Sequence, residues 1–182
     1  MSPDTPPQVA VVTGGARGIG RAIGEWFLAR GHQVVLLDRD HATLDRTITD
    51  LASPEALLGI HCDVSDPAQV ERAAAEVIAR FGRVDALVNN AGVAVFKPTL
   101  ETTFEDWRTV MSTNLDGAFL CTQAFGALMA GNGGGAIVNT GSVSAEIVCS
   151  TVGYSASKAG LVNLTKVAAV ELGKHNIRVN AI

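Results

Sequence analysis

The sequence predicts an α/β fold: a doubly wound parallel sheet of about six strands in the order 3-2-1-4-5-6, with helices on both faces. Three observations predict it. Short apolar runs alternate along the chain with longer segments of helical spacing, the pattern of repeated βαβ units. A glycine-rich turn directly follows the first apolar run. Polar or glycine-containing residues also follow the later runs directly, which gathers them at the carboxyl edge of the sheet, where such folds bind ligands.

Taken in order, Val9 to Thr13 is a short apolar run and reads as a buried strand. Gly18-Ile19-Gly20 opens a helix with Ile23, Phe27 and Leu28 on its apolar side, closed by Gly31. Gln33 to Asp38 is a second buried strand, and His41 to Leu51 a helix with Asp40 as its cap. Residues 57–62 form a third strand. Asp66-Pro67 is a helix start, an acidic cap followed by proline at the first helical position. Val70, Ala74, Val77, Ile78 and Phe81 continue at helical spacing until Gly82. Ala86 to Asn89 is a fourth strand. A long helical region is expected over residues 103–130, with polar Asn114 in a stripe otherwise made by Trp107, Val110, Met111 and Ala118. Residues 136–140 form a fifth strand, 151–172 a helix and Ile177 to Ala181 a sixth strand. The domain reading is a flexible N-terminus over 1–8 and a single domain over 9–182.

Composition excludes several classes. The chain has 182 residues, 47% hydrophobic and 18% charged, which suits one globular domain with a real core. A net charge of −4 with no basic run argues against nucleic acid or an anionic membrane as partner. Cys62, Cys121 and Cys149 are an odd, scattered set that implies no disulfide framework and suits a reducing cytoplasmic setting. His32, His41, His61 and His175 lack metal-ligand spacing. The proline-rich N-terminus has no signal-peptide pattern, and no apolar run is long enough to span a bilayer.

The turn Thr13-Gly14-Gly15-Ala16-Arg17-Gly18-Ile19-Gly20 has the ingredients of a pyrophosphate site: glycines that permit close backbone approach, and a helix N-terminus with free N–H groups. Its spacing is G-x-x-x-G-x-G, so the G-x-G-x-x-G fingerprint is met only approximately, and a plain glycine-rich turn is the competing reading. Asp38 lies eighteen residues beyond Gly20, where an acid would take the adenosine ribose hydroxyls and repel a 2′-phosphate. Arg17 and Arg39 are placed to pair with such a phosphate instead. The carboxylate favours NAD, with NADP as the alternative.

Tyr154 and Lys158 are four residues apart, on one helix face. A free tyrosine has a pKa of about 10, and bringing that to about 7 takes roughly 4 kcal/mol of differential stabilisation. One exposed lysine rarely supplies that much, so acid/base use of this tyrosine requires partial desolvation and a second cation. An ordinary surface pair has the same spacing.

Together these motifs resemble the short-chain dehydrogenase/reductase family. The resemblance rests on Thr13-Gly14 through Gly18-Ile19-Gly20, Asp63-Val64, Asn89-Asn90-Ala91-Gly92, Asn114, Ser142, Tyr154/Lys158 and Arg178-Val179-Asn180, in that order over nearly the whole chain. It implies an oxidoreductase that moves a hydride between NAD and a secondary alcohol or ketone. Asp63 and Val64 would hold the adenine, Asn90 would stabilise the central sheet, and Ala91 and Gly92 would lie beside the cofactor. Asn114 would interrupt its helix with a water that feeds a proton relay. Ser142 would hydrogen-bond the substrate oxygen and Tyr154 would be the acid/base. Lys158 would bind the nicotinamide ribose and assist Tyr154, the nicotinamide being the second cation. An NADP-dependent ketone or β-ketoacyl reductase is the alternative activity. The resemblance also implies a homodimer or homotetramer built on the Asn114 and Tyr154 helices.

Two departures from the family pattern stand out. Ser142 precedes Tyr154 by twelve residues, about one fewer than expected, which reshapes the pocket wall over 143–153. Glu146 in that wall could meet a polar or cationic substrate group, or be a solvated loop acid. The family pattern also continues past the sixth strand with a Pro-Gly turn, a substrate lid and a seventh strand. The expectation is therefore a fragment or truncated form of an enzyme, with a nucleotide-binding protein that does not turn over as the other class. The substrate itself is not legible.

Overall fold

A computed structural model describes residues 7–147 and 151–182. Residues 1–6 of the expected flexible N-terminus over 1–8, and Cys149, lie outside these residues. Strands β1 (Val9–Thr13), β2 (Gln33–Asp38), β3 (Leu57–His61), β4 (Ala86–Asn89), β5 (Gly135–Asn139) and β6 (Ile177–Ala181) alternate with helices α1 (Gly18–Leu28), α2 (His41–Leu51), α3 (Pro67–Phe81), α4 (Phe104–Met111), α5 (Gly117–Gly131) and α6 (Val152–Gly173). All strand pairs are parallel, in the order β3-β2-β1-β4-β5-β6. This is the doubly wound Rossmann arrangement.

Strand alternation builds two cores. Val9, Val11, Val35 and Leu37 face one side, with Val70 and Val77 of α3, Phe125 and Met129 of α5 and Ala168 of α6. Val12, Val34 and Leu36 face the other, with Leu44 of α2 and Ile23 and Phe27 of α1. Successive strand residues point to opposite faces, so continuous apolar strands bury both sides of the sheet.

Local signals set most helix ends. Asp40 accepts from the N–H of Thr43 at 3.1 Å and caps α2. Asp66 accepts from the N–H groups of Ala68 and Gln69, and Pro67 follows at the start of α3. Gly82 ends α3 in the left-handed region at φ 74°.

The long helical region expected over 103–130 is interrupted at Asn114, where the family resemblance placed a break. α4 and α5 are separated by a π-turn, Ser112–Asp116, centred on Asn114. At its end, a side chain on Gly117 would meet Cγ2 of Val64 at 2.6 Å, so α5 starts directly against the loop after β3. π-turns inside helices are rare and often mark functional positions.

Candidate active site

The glycine turn after β1 is locked from beneath. Thr13 Oγ1 accepts from the N–H groups of Asn90 (3.0 Å) and Ala91 (2.9 Å). The Asn90 amide donates to the carbonyls of Thr13 (3.0 Å) and Gly14 (3.3 Å). The two loops at the middle of the sheet are thereby joined. Gly14 has φ 65°, and a Cβ there would meet the Ala91 Cα at 2.9 Å; at Gly20 a Cβ would meet the Gly14 carbonyl oxygen at 2.1 Å. Neither position admits a side chain without moving backbone.

The N-terminus of α1 suits an anion. Arg17, its capping residue, makes no side-chain cap, whereas α2, α3 and α4 are capped by Asp40, Asp66 and Thr103. The first-turn N–H groups of a helix lack intrahelical acceptors and carry the positive end of its dipole. Gly18, at φ 56°, has open space where its Cβ would be. The residues present therefore fit a pyrophosphate.

A cavity of about 310 Å³ continues along the carboxyl ends of β1 to β3, and Gly14, Arg17, Ile19, Asp38, Arg39 and Asp63 are in its wall. Val64, Asn90, Ala91 and Gly92 complete the same wall. Asp38 is fixed by the N–H of Ala16 on one oxygen (3.0 Å) and that of Asp40 on the other (3.0 Å). Each carboxylate oxygen keeps a further acceptor site, which fits a pair of ribose hydroxyls. Arg39 lies 3.7 Å from Asp63 and Arg17 3.7 Å from Asp40. Burial pushes the Asp63 carboxyl up, but the N–H and hydroxyl of Ser65, with Arg39, hold it below the ordinary carboxylate value. Both arginines face carboxylates, and the carboxylates outnumber them, an unfavourable setting for a 2′-phosphate. Cys62 lies in this wall as well, and burial pushes its thiol up to about 11.

A second cavity, about 600 Å³, adjoins the first and shares Ile19, Asn90, Gly92 and Val93 with it. This volume is ordinary for a small-molecule site, roughly 300–1,000 Å³. Tyr154 and Lys158 both line it, and Lys158 Nζ lies 5.6 Å from the centroid of the Tyr154 ring. The pair is thus on one side of α6, at the mouth of the glycine-lined crevice. Lys158 is only 4% exposed, and burial pushes its amine below the ordinary lysine value. One of its N–H groups donates to the carbonyl of Thr140 at the end of β5.

Asn114 does not line this cavity but braces it. Its Oδ1 accepts from the N–H of Val93 (2.8 Å), and its Nδ2 donates to the Val93 carbonyl (2.9 Å) and to Ser157 Oγ (3.1 Å). Ser142 caps a short 3₁₀ turn (Val143–Ala145), its Oγ accepting from the N–H of Ser144 at 3.1 Å. The cavity wall beside Tyr154 contains Thr140 and Ser144, and Ser142, half-buried, is not among its lining residues. Glu146 is exposed and lines an adjoining cleft with Phe96, Lys97 and Ser155. Among the described residues its carboxylate has no ion-pair partner.

Sequence reasoning passed over Thr13, Ser144 and Ser157. Thr13 and Ser157 lie inside stretches already singled out, but each also bonds a residue 43 or more positions away, which no local spacing reveals. No group of three or more metal-ligating side chains occurs among the described residues, and no described helix is long and apolar enough to cross a membrane.

Known proteins resemble this chain in sequence and fold. The family model described as short chain dehydrogenase matches residues 8–182. D-threitol dehydrogenase of Mycolicibacterium smegmatis is 42% identical over 177 residues, covering 96% of this chain and 68% of that protein. NAD-dependent glycerol dehydrogenase of Listeria innocua is 39% identical over 179 residues, covering 96% and 68%. The crystal structure of a short-chain type dehydrogenase/reductase from Mycobacterium marinum superposes with a TM-score of 0.91 at 34% identity, covering 96% of this chain and 70% of that one. The chain thus spans about two thirds of the length of these relatives. Matched in sequence from its first strand to its last and in fold over the same span, this chain belongs to the short-chain dehydrogenase/reductase family of oxidoreductases.

Proposed function

We propose that this chain oxidises a secondary carbinol of a small polyol with NAD, with Tyr154 as proton acceptor. One observation carries the reading: Lys158 Nζ, 5.6 Å from the Tyr154 ring, and that ring line a cavity that opens onto the glycine-lined crevice. The names of the threitol and glycerol dehydrogenases support the polyol class.

Gly14, Gly18 and the first turn of α1 would hold the pyrophosphate, and Asp38 the adenosine ribose. Asp63 and Val64 would flank the adenine; Asn90, Ala91 and Gly92 would line the middle of the cofactor. Bound there, the nicotinamide supplies the hydride acceptor. Tyr154 takes the hydroxyl proton as the carbinol carbon is oxidised, and returns it in the reverse direction. The Ser142 hydroxyl retains its donor hydrogen and would share the substrate oxygen with Tyr154. Lys158 faces the Tyr154 ring, where its ammonium favours the phenolate. Its N–H groups beyond the one on Thr140 remain for the nicotinamide ribose. Protons would leave along Lys158 toward the wide turn at Asn114.

The test is NAD⁺ reduction with glycerol, threitol and 2,3-butanediol by the wild type and Tyr154→Phe, alongside titrations with NAD⁺ and NADP⁺. The variant should lose roughly 10²- to 10⁴-fold in turnover and still bind NAD⁺, and the wild type should prefer NAD⁺. Undiminished turnover by Tyr154→Phe contradicts the tyrosine role. Tighter binding of NADP⁺ overturns the part assigned to Asp38. Binding without turnover in the wild type leaves a dinucleotide-binding protein.

A further inference from the structure

We propose that Ser157 is a positioning residue for Tyr154: with Asn114 it forms a buried clamp that holds α6 at a fixed distance from the cofactor-side loop at Val93. The inference rests on the proposed function, since it gives Tyr154 a task that depends on placement.

Ser157 lies between Tyr154 and Lys158 in sequence and is 0% exposed. Its hydroxyl donates to the Tyr154 carbonyl at 2.7 Å. That bond alone would satisfy the hydroxyl's only hydrogen, as buried helical serines commonly do. Yet Ser157 Oγ also accepts from Asn114 Nδ2 at 3.1 Å. Asn114, 1% exposed, spends the rest of its amide on the Val93 backbone, bonding both its N–H and its carbonyl. The bonds run without a break from Val93 through Asn114 and Ser157 to the Tyr154 peptide.

Both ends of this path are working surfaces. Val93 lines both cavities, and Tyr154 lines the second. In an α-helix the carbonyl of Tyr154 is also the acceptor for the N–H of Lys158, so the clamp bears on the one peptide group the pair shares. Helix propensity gives no reason for the serine, because alanine is the better helix former at an interior position. The π-turn supplies the other half: it carries Asn114 with its amide between the Val93 backbone and α6.

Ser157→Ala tests the clamp. It removes a hydroxyl, adds no bulk, and leaves Asn114 Nδ2 one acceptor short. The expected result is a fall in kcat of roughly 10- to 100-fold, the scale of a misplacement remote from the chemistry, with KM for NAD⁺ within about threefold of wild type. Ser157→Thr should recover activity, because a helical threonine can aim its Oγ1 at the same carbonyl. A second readout needs neither cofactor nor turnover. Tyr154 is the only tyrosine in the chain, so 3-fluorotyrosine labelling gives a single ¹⁹F resonance that reports on its ring; at neutral pH that resonance should shift or broaden in Ser157→Ala and return toward the wild-type position in Ser157→Thr. An unchanged resonance in Ser157→Ala overturns the proposal, whether or not the melting temperature falls. So does a kcat loss matched by an equal loss of NAD⁺ binding, which would mean general loosening. If the wild type shows no turnover, the proposed function fails on that ground, while the cofactor-free ¹⁹F spectrum still decides the clamp.

Discussion

Motif and position single out different serines for a role beside Tyr154. Ser142 occupies the motif position, caps its own turn and keeps a donor hydrogen; Ser144 lies in the cavity wall. If Ser142 shares the reacting oxygen, Ser142→Ala should lower kcat by roughly 10²- to 10³-fold, the usual loss for a missing donor to developing charge. Ser144→Ala should leave kcat nearly unchanged and raise KM for the polyol about two- to tenfold, the worth of one ordinary hydrogen bond. Steady-state kinetics on both variants decide it, and reversed effects would exchange their roles. At this scale the sequence is most legible where the chemistry itself requires a local spacing. Tyr154 and Lys158 share one helical face by spacing and stand out once the other motifs are read with them, and Asp38 stands out because it closes a strand at the carboxyl edge of the sheet. Ser157 is not recognisable that way: its partner Asn114 lies 43 residues away and comes to it only through the packing of α4 to α6.

Elements show the same division. Asp40, Asp66-Pro67 and Gly82 mark helix ends through contacts within four residues, and those ends fall where local rules place them. The break at Ser112–Asp116 does not, because its causes are distant: the Val93 backbone that the Asn114 amide reaches and the Val64 side chain against Gly117. α4 also carries a reciprocal cap. Thr103 Oγ1 accepts from the N–H of Asp106 at 3.1 Å, and Asp106 accepts from the Thr103 N–H at 3.0 Å. The Lys97 ammonium at 2.7 Å, then the Thr103 N–H and hydroxyl, hold the Asp106 carboxyl down to about 2 from an ordinary 3.8. A carboxyl depressed by folding stabilises the fold above its unfolded value and loses that contribution as pH falls through its folded value. Melting temperatures of the wild type and Asp106→Asn should therefore differ at pH 6 and converge between about pH 4 and pH 2. A gap that stays constant over that range would show that the carboxylate charge at this cap does not matter.

Across the whole molecule, the alternation of Val11 and Val12, or of Leu36 and Leu37, between the two cores explains why the strands are apolar throughout and why every polar signal is displaced to the strand ends. Sheet order then brings those ends together. The loops after β1 and β4 are neighbours because their strands pair, and Thr13 and Asn90 tie them into one crevice. The end of β5 faces the same crevice from the far side and offers the Thr140 carbonyl to Lys158. The fold class was legible from this alternation, since each strand and each helix must bury an apolar face. The depth of the Lys158 amine and the presence of Ser144 rather than Ser142 in the cavity wall were not, because both depend on how α6 sits on the sheet. The central claim is that Lys158 makes the Tyr154 hydroxyl labile beside bound NAD⁺. Its most direct test is tyrosinate absorbance titrated in the NAD⁺ complexes of the wild type and Lys158→Met, with a single tyrosine to observe. Phenolate should form at distinctly lower pH in the wild type than in the variant; coincident titration curves would contradict the claim.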